Sequence, residues 1–187
     1  MAFSISDRIA PSIWNVLQSS LYGLITRHIP EGSKIILASP WVVDIENRTY
    51  NSQGIMDDLI GMGQRTKLKN LSDFLIALSK EGAEVGLMTA PFNSSHFTKN
   101  DPERNRKEEK LLQKLEDGGV EIRLHGESHS KFITSPLMEI NMSSNLTNAA
   151  FFWHIEQLNM YPPSDGQQFE QARTTNSDLW RQGTPRN

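Results

Sequence analysis

The second half of the chain holds a set of residues whose types and spacing could do chemistry. His129 and Lys131 are two residues apart in SHSKFIT, which is typical of a short strand, so both side chains should leave the same face. Ser143 and Asn145 follow in MSSN, and Glu156 lies in the strand-like HIEQLNMY. A nucleophile or base, a fixed cation, two neutral hydrogen-bonding groups and a carboxylate therefore fall between residues 129 and 156.

This order resembles the active-site motif of the phospholipase D superfamily, which includes phosphodiesterase nucleases as well as lipases. The family's nucleophilic histidine, phosphate-binding lysine, serine, asparagine and histidine-orienting carboxylate fall on His129, Lys131, Ser143, Asn145 and Glu156. The resemblance covers roughly residues 33 to 161. It also includes SPWV at residues 39 to 42, which is similar to the end of the family's first strand, where the strand opens towards the active site.

Two positions depart from the fuller signature of the family. Pro136 stands where the family has an aspartate, Met142 stands where it has a glycine, and the segment between them is one residue shorter than usual. The missing aspartate counts against a typical lipase. Some family members, including restriction endonucleases that cut without a metal, also lack it, so the departure leaves catalysis open.

The resemblance implies a covalent mechanism that uses no metal and no cofactor. An imidazole such as His129 attacks phosphorus when its other nitrogen donates to a carboxylate, the role that falls on Glu156. Lys131 and Asn145 would stabilise negative charge on the non-bridging phosphate oxygens. The leaving oxygen needs a proton from a second histidine. Because the sequence has a single His-x-Lys, the resemblance implies a homodimer with one composite site at a two-fold interface.

Four further residues are predicted to contact the substrate. Trp41, at the end of the first strand, would stack on a ligand, although such a tryptophan is more often packed. The polar segment from Pro91 to Lys110 is either a surface loop running into a helix or a substrate-contacting loop, in which His96, Arg104 and Arg106 would lie near phosphates.

The composition limits the classes of protein. The chain has 187 residues, enough for one domain with a core, and no cysteine, which excludes disulfides and thiolate metal sites. A formal net charge of -3 argues against a general electrostatic grip on nucleic acid but leaves room for a local basic groove. No GxxxxGK[ST] sequence, secretory signal or long apolar run is present, so we expect a cytoplasmic protein without stable membrane association.

The apolar pattern predicts an α/β fold with a mixed, largely parallel β-sheet flanked by helices, a phospholipase D-like half that dimerises. Apolar residues spaced at threes and fours predict helices near residues 9 to 25, 68 to 78 and 111 to 115. Apolar runs predict buried strands at 34 to 44, 83 to 90 and 120 to 124. We expect an N-terminal helix over 1–32 packed on a catalytic domain over 33–161, and a polar C-terminal extension over 162–187. Within this extension, Phe169, Ala172 and Leu179–Trp180 are compatible with one helix packed on the domain or on a partner, followed by a frayed end at 183–187.

Three functions from different classes fit the sequence. The first is a metal-independent phosphodiesterase, a DNA nuclease acting through a phosphohistidine, with partner proteins in a DNA modification or defence system. The second is a non-catalytic relative that binds nucleic acid or a partner, with Pro136 and Met142 as signs of lost chemistry. The third is a phosphatidyl hydrolase or transferase. Activity in EDTA, and dependence on membrane or detergent, would separate them. His129 and Lys131 also fit a solvated strand edge, which is the commoner meaning of a lone His-x-Lys.

Overall fold

The fold is a seven-stranded mixed β-sheet with helices on both faces. The computed structural model describes residues 9–45, 68, 70–91, 102–126, 129–147 and 157–186. Within them the elements are α1 (Ile9–Ile25), β1 (Lys34–Ala38), α2 (Leu71–Lys80), β2 (Glu84–Thr89), α3 (Pro102–Asp117), β3 (Glu121–Leu124), β4 (Phe132–Thr134), β5 (Glu139–Met142), β6 (Leu158–Tyr161), a 3-10 turn (Pro163–Asp165), α4 (Gln167–Gln182) and β7 (Thr184–Pro185).

The strand order is β6-β5-β4-β1-β2-β3-β7, with parallel pairing confined to β1, β2 and β3. The pairs on either side of this unit, β1 with β4, β4 with β5, β5 with β6 and β3 with β7, are antiparallel. The predicted mixed α/β sheet is confirmed, but the expectation that it is largely parallel is corrected. A helix precedes β2 and another precedes β3, as parallel crossovers require, whereas β4 and β5 are joined by a turn too short for anything but an antiparallel pair.

The two faces of the sheet are covered unequally. Leu37, Leu87 and Ile133 belong to a large apolar core that also contains buried residues of α1, α2 and α3. Ile36 and Phe132, their neighbours along the strands, belong to a smaller cluster with Trp180 of α4. This alternation is what the two-residue period of a strand requires of a sheet buried on both sides. Three helices therefore cover one face and α4 covers the other.

The C-terminal segment, predicted as a polar extension with a frayed end, is built into this sheet. Trp180 packs on the second face, where a Cβ at Gly86 would overlap the indole ring. β7 pairs with β3, and the backbone N–H of Arg186 donates to Ile122 O at 2.9 Å. The Arg186 side chain bonds Glu109 and Glu116 of α3. The predicted frayed end is therefore wrong.

No helix in the described part of the chain combines the length and the apolar content that a bilayer crossing needs.

Candidate functional site

The predicted site residues gather where the central strand β1 ends. Ala38, the last residue of β1, lies opposite Phe132 in β4. Lys131 lies just before β4. Its backbone carbonyl oxygen accepts a hydrogen bond of 2.9 Å from the N–H of Met142, the last residue of β5. The chain entering β4 therefore runs between the end of β1 and the end of β5. Sheet pairing thus brings Lys131 close to Met142, which directly precedes Ser143.

His129 and Lys131 are in direct contact, as their spacing predicts. Lys131 Nζ donates to His129 Nδ1 at 2.9 Å and to the His129 carbonyl oxygen at 2.8 Å. Lys131 is buried, with 8% of its surface exposed, while His129 is exposed. Because an ammonium group has no acceptor, Nδ1 accepts this bond and the neutral ring carries its proton on Nε2. Both residues precede the regular strand, since β4 begins only at Phe132.

Asn145 is held beside the segment that follows β1. The hydroxyl of Ser39 accepts from the N–H of Leu146 at 2.9 Å, and the N–H of Val43 donates to Leu146 O at 3.0 Å. Val42 and Leu146 form a parallel bridge. The side-chain Oδ1 of Asn145 is buried and has no hydrogen-bond partner among the residues that the structure describes. An unpaired buried acceptor is costly, so it marks a place where a proton donor of a ligand would be stabilised.

Ser143 is exposed and bonds the start of the strand-like segment that carries Glu156 in the sequence. The N–H of Gln157 donates to Ser143 Oγ at 2.9 Å, and the N–H of Ser143 donates to Gln157 O at 3.1 Å. Glu156 itself and His96 lie outside the described residues. The structure therefore brings together the surroundings of His129, Lys131, Ser143 and Asn145, and leaves the role of Glu156 as a prediction.

Two of the predicted substrate contacts meet and a third does not. The guanidinium carbon of Arg104 lies 3.0 Å from the centroid of the Trp41 ring, a cation–π contact between α3 and the segment after β1. Trp41 is half-buried, and its indole N–H has no hydrogen-bond partner within the described part of the chain. Arg106 is exposed two residues further along α3. Residues two apart on a helix do not share a face, so Arg106 points away from the Trp41–Arg104 pair.

Sequence reasoning missed Glu108, a buried carboxyl one helical turn after Arg104. Only 7% of Glu108 is exposed, and Thr89 Oγ1 donates to Glu108 Oε1 at 3.4 Å. Burial raises the pKa of Glu108 to about 7, against opposing contributions from the Arg104 charge and from hydrogen bonds with the Val42 backbone and Thr89. The four-residue spacing from Arg104 was the only sequence signal, and it does not distinguish a surface ion pair from a buried acid.

A cavity of about 530 Å³ lies between α3 and the segment after β1. Its lining combines apolar side chains with charges of both signs: Val42, Val43, Asp44, Glu103, Arg104, Lys107, Glu108 and Leu111. Its volume is within the range of small-molecule sites. Among the described residues no group of three or more His, Asp or Glu side chains could hold a metal ion. The metal-free mechanism stays a prediction.

A second buried carboxylate, also missed from the sequence, supports the β4–β5 hairpin. Glu139 is fully buried and accepts from Thr134 Oγ1 at 2.8 Å, Asn176 Nδ2 at 3.0 Å and Arg173 Nε at 3.1 Å. Arg173 Nη2 also donates to Ser135 O at 2.9 Å. Burial raises the pKa of Glu139, and these three hydrogen bonds oppose the rise. The network ties α4 to both strands of the hairpin, whose turn contains Pro136.

Comparison with known proteins shows similarity in fold. No protein-family model and no curated protein sequence matches the chain. Among solved structures, it is similar to a phospholipase D family member, Nuc from Salmonella typhimurium, with 13% identity over 93% of this chain and 90% of that one and a TM-score of 0.57. NucT from Helicobacter pylori is 10% identical, with 100% and 98% covered and a TM-score of 0.54. TrmBL2, an archaeal chromatin protein with a novel mode of DNA binding, is 11% identical, with 99% and 53% covered and a TM-score of 0.52.

Proposed function

Because the chain has the phospholipase D fold, as its motif predicted, we propose that it is a metal-independent phosphodiesterase, namely a DNA nuclease that acts through a phosphohistidine on His129. The observation that carries this proposal is the 2.9 Å contact between Lys131 Nζ and His129 Nδ1, at the end of the central strand β1, where the chain around Asn145 is also anchored. A nucleophile, a buried cation and an amide whose NH₂ can donate suit an anionic phosphodiester.

The first step requires Lys131 to exchange partners. In the observed arrangement Lys131 holds the Nδ1 lone pair, and the neutral ring keeps its proton on Nε2. A phosphate oxygen is the stronger acceptor for an ammonium ion, so substrate binding would draw Lys131 away. The proton then moves to Nδ1, which donates to Glu156, and the Nε2 lone pair becomes available for attack on phosphorus.

The two chemical steps balance with one histidine from each of two subunits. Nε2 of His129 forms a bond to phosphorus while the bond to the leaving oxygen breaks, and that oxygen takes a proton from the partner subunit's His129, which enters this step as an imidazolium and leaves it neutral. Water then attacks phosphorus and gives a proton back to the same partner histidine, while the bond between phosphorus and Nε2 breaks and the second product is released. Lys131 and the Asn145 side-chain NH₂ donate to the non-bridging oxygens throughout, where charge accumulates.

DNA as substrate and a dimeric assembly are parts of this proposal. The similar structures include a chromatin protein with a novel mode of DNA binding, which supports nucleic acid as the substrate. A cytoplasmic location and partner proteins of a DNA modification or defence system extend the proposal on the strength of the motif resemblance. The alternative is a module that binds DNA without cutting it, favoured by Pro136, by Met142 and by the similarity to TrmBL2.

The decisive experiment measures cleavage of single- and double-stranded DNA in excess EDTA by the wild type and by His129→Ala. We expect cleavage by the wild type and a loss of at least ~1,000-fold in the variant, since the nucleophile is gone. His28→Ala is the matched control, because this exposed histidine bonds Thr26 at the far end of α1 and should leave activity unchanged. Activity that survives His129→Ala would refute the mechanism, and DNA binding without cleavage by the wild type would select the binding module.

A further inference from the structure

The cavity between α3 and the segment after β1 is not used by the phosphohistidine mechanism. We propose that it is a pocket for one unpaired nucleobase that carries an exocyclic amino group, namely adenine, cytosine or guanine, next to the scissile phosphate. The inference deepens the proposed function and rests on it for the position of that phosphate.

The cavity shares a wall with the candidate site. Val42 and Val43 line the cavity, and both are joined through their backbones to Leu146, the residue after Asn145. A phosphodiester bound by Lys131 and Asn145 would therefore have this cavity beside it. A base turned away from its strand is the part of a nucleic acid that could enter, since enzymes acting on unpaired nucleotides hold the base in such a pocket.

The shape and apolar surface of the cavity suit a flat ring. Its volume is about 530 Å³, and Val42, Val43 and Leu111 give it apolar walls. Arg104 also lines it while its guanidinium lies over the Trp41 ring. Nucleic-acid bases stack on guanidinium and aromatic planes with little regard to sequence, so this pair offers a stacking platform.

The charges of the cavity disfavour a second phosphate. Its lining holds three acidic and two basic side chains: Asp44, Glu103, Glu108, Arg104 and Lys107. Lys107 bonds Glu103 at 2.8 Å, and Asp44 is bonded by Ser72 and approached by Lys114 at 3.8 Å. An anion would find no excess of positive charge here. A neutral group with several hydrogen-bonding atoms, such as a base, meets no such penalty.

Glu108 supplies the selectivity for an amino group in its carboxylate form, which dominates above about pH 7 and only accepts hydrogen bonds. The exocyclic amino groups of cytosine, adenine and guanine donate to such an acceptor. Thymine and uracil have a single ring N–H with a carbonyl oxygen on each side, and the carboxylate oxygens repel these carbonyl oxygens. Discrimination against thymine follows.

The test measures the equilibrium binding of fluorescent single-stranded oligonucleotides to the full-length wild type in EDTA at pH 8, where Glu108 is a carboxylate. The probes are a thymidine tract and the same tract with one central dA, dC or dG. We expect each amino base to tighten binding about tenfold, the effect of one well-placed hydrogen-bonded pair. Glu108→Met, of similar size but without hydrogen-bonding groups, should reduce the ratio to near one. Glu109→Met, at the next residue of α3 and outside the cavity, should keep it.

A second variant guards against misfolding of Glu108→Met. Val43→Phe fills the cavity but keeps the Val43 backbone bond to Leu146, and it too should remove the preference while the thymidine tract binds as before. Equal binding of all four tracts by the wild type would overturn the inference, as would no binding of any, or a preference that survives both variants. Cleavage of bis(p-nitrophenyl) phosphate, a diester without a base, tests the proposed function separately, because it needs His129 and not the pocket.

Discussion

At the scale of single residues, the structure couples the two groups with which the mechanism begins. Lys131 is buried and bonds His129 through both the ring and the backbone. In the proposed mechanism this contact holds His129 in the tautomer that cannot attack through Nε2. Substrate phosphate would release it. A lysine that protects the histidine until an anion arrives would reduce wasteful reaction of His129 with other electrophiles.

Replacing Lys131 tests this coupling. Lys131→Met keeps the chain length but removes the charge, and we expect DNA cleavage to fall about 100-fold to 1,000-fold, as for loss of one preorganised donor to a developing oxyanion. Lys131→Arg should not restore activity, because a planar guanidinium cannot replace a compact ammonium in that contact. Turnover in EDTA gives the measurement, and Lys110→Met, an exposed position on α3, is the control. Full activity in Lys131→Met would refute the role.

Glu108 predicts a pH dependence of stability. Its folded-state pKa is raised from 4.5 to about 7, so the folded protein binds this proton more tightly than the unfolded chain does. The stabilisation of the folded protein by this proton is complete below the unfolded pKa. It amounts to up to about 3 kcal/mol and is lost as pH rises through about 7. Urea unfolding at pH 5 and pH 8 gives the free energy of unfolding of each protein. Between pH 5 and pH 8 this free energy should fall more for the wild type than for Glu108→Gln. A constant difference between the two proteins would contradict the shift.

Sequence reasoning at this scale found the residues that belong to a linear pattern. His129, Lys131, Ser143 and Asn145 lie in one short segment, so their spacing identified them, and Trp41 and Arg104 were predicted from type alone. Glu108 and Glu139 were not identified, because what distinguishes them is burial. The sequence around an acidic residue on an amphipathic helix or in a short strand does not show whether its carboxyl is buried or solvated.

At the scale of elements, α4 holds the hairpin that carries the motif. His129 and Lys131 come just before β4, and Ser143 and Asn145 come after β5. The arrangement of these two strands therefore determines how the two parts of the motif lie relative to each other. Glu139 joins both strands to α4 through Thr134, Asn176 and Arg173. Pro136 lies in the turn of this hairpin, and the hairpin has a buried carboxylate, Glu139, three residues later in the chain.

Removing the cation from this network should destabilise the protein. Arg173→Met leaves the buried Glu139 carboxylate with only neutral donors, and we expect a loss of about 2 kcal/mol, below the usual cost for a broken buried pair because Arg173 is 37% exposed. The loss should shrink at low pH, where the raised pKa lets Glu139 take a proton. Urea unfolding at pH 5 and pH 8 measures it. Arg181→Met, which removes an exposed pair with Asp178 on the same helix, should cost less than ~0.5 kcal/mol.

The elements predicted well were those with a strong period. α1 and β1 to β3 follow from apolar spacing, whereas β4 and β5 have three and four residues, too few to reveal pairing direction. These two strands therefore gave no sign that the sheet is antiparallel outside β1, β2 and β3. A helix with Phe169 and Trp180 packed on the domain or on a partner was expected, but its place on the second face of the sheet and the strand β7 were not predicted. Their contacts, such as Trp180 on Gly86, join residues far apart in a segment whose composition is polar.

At the scale of the whole molecule, the mechanism needs two chains. The proposed composite site takes one histidine from each subunit, so only a dimer of two wild-type chains is active. When wild type and His129→Ala are co-expressed and assemble at random, activity should depend on the square of the wild-type fraction. Equal amounts should give about a quarter of the all-wild-type activity, whereas independent sites would give about half. DNA cleavage at fixed total protein measures this, with light scattering to confirm the dimer. A linear dependence on the wild-type fraction would show independent sites.

The position of β1 also affects how the chain folds as it is synthesised. β1 is central in the sheet, with β2 on one side and β4 on the other. Its partner β2 leaves the ribosome well before β4, so the apolar KIILA strand waits with one edge unpaired while α3 and β3 are made. An open apolar edge on a growing chain invites pairing with a neighbouring nascent chain. The arrival of β4, which closes that edge, is also the moment at which His129 and Lys131 reach the end of β1.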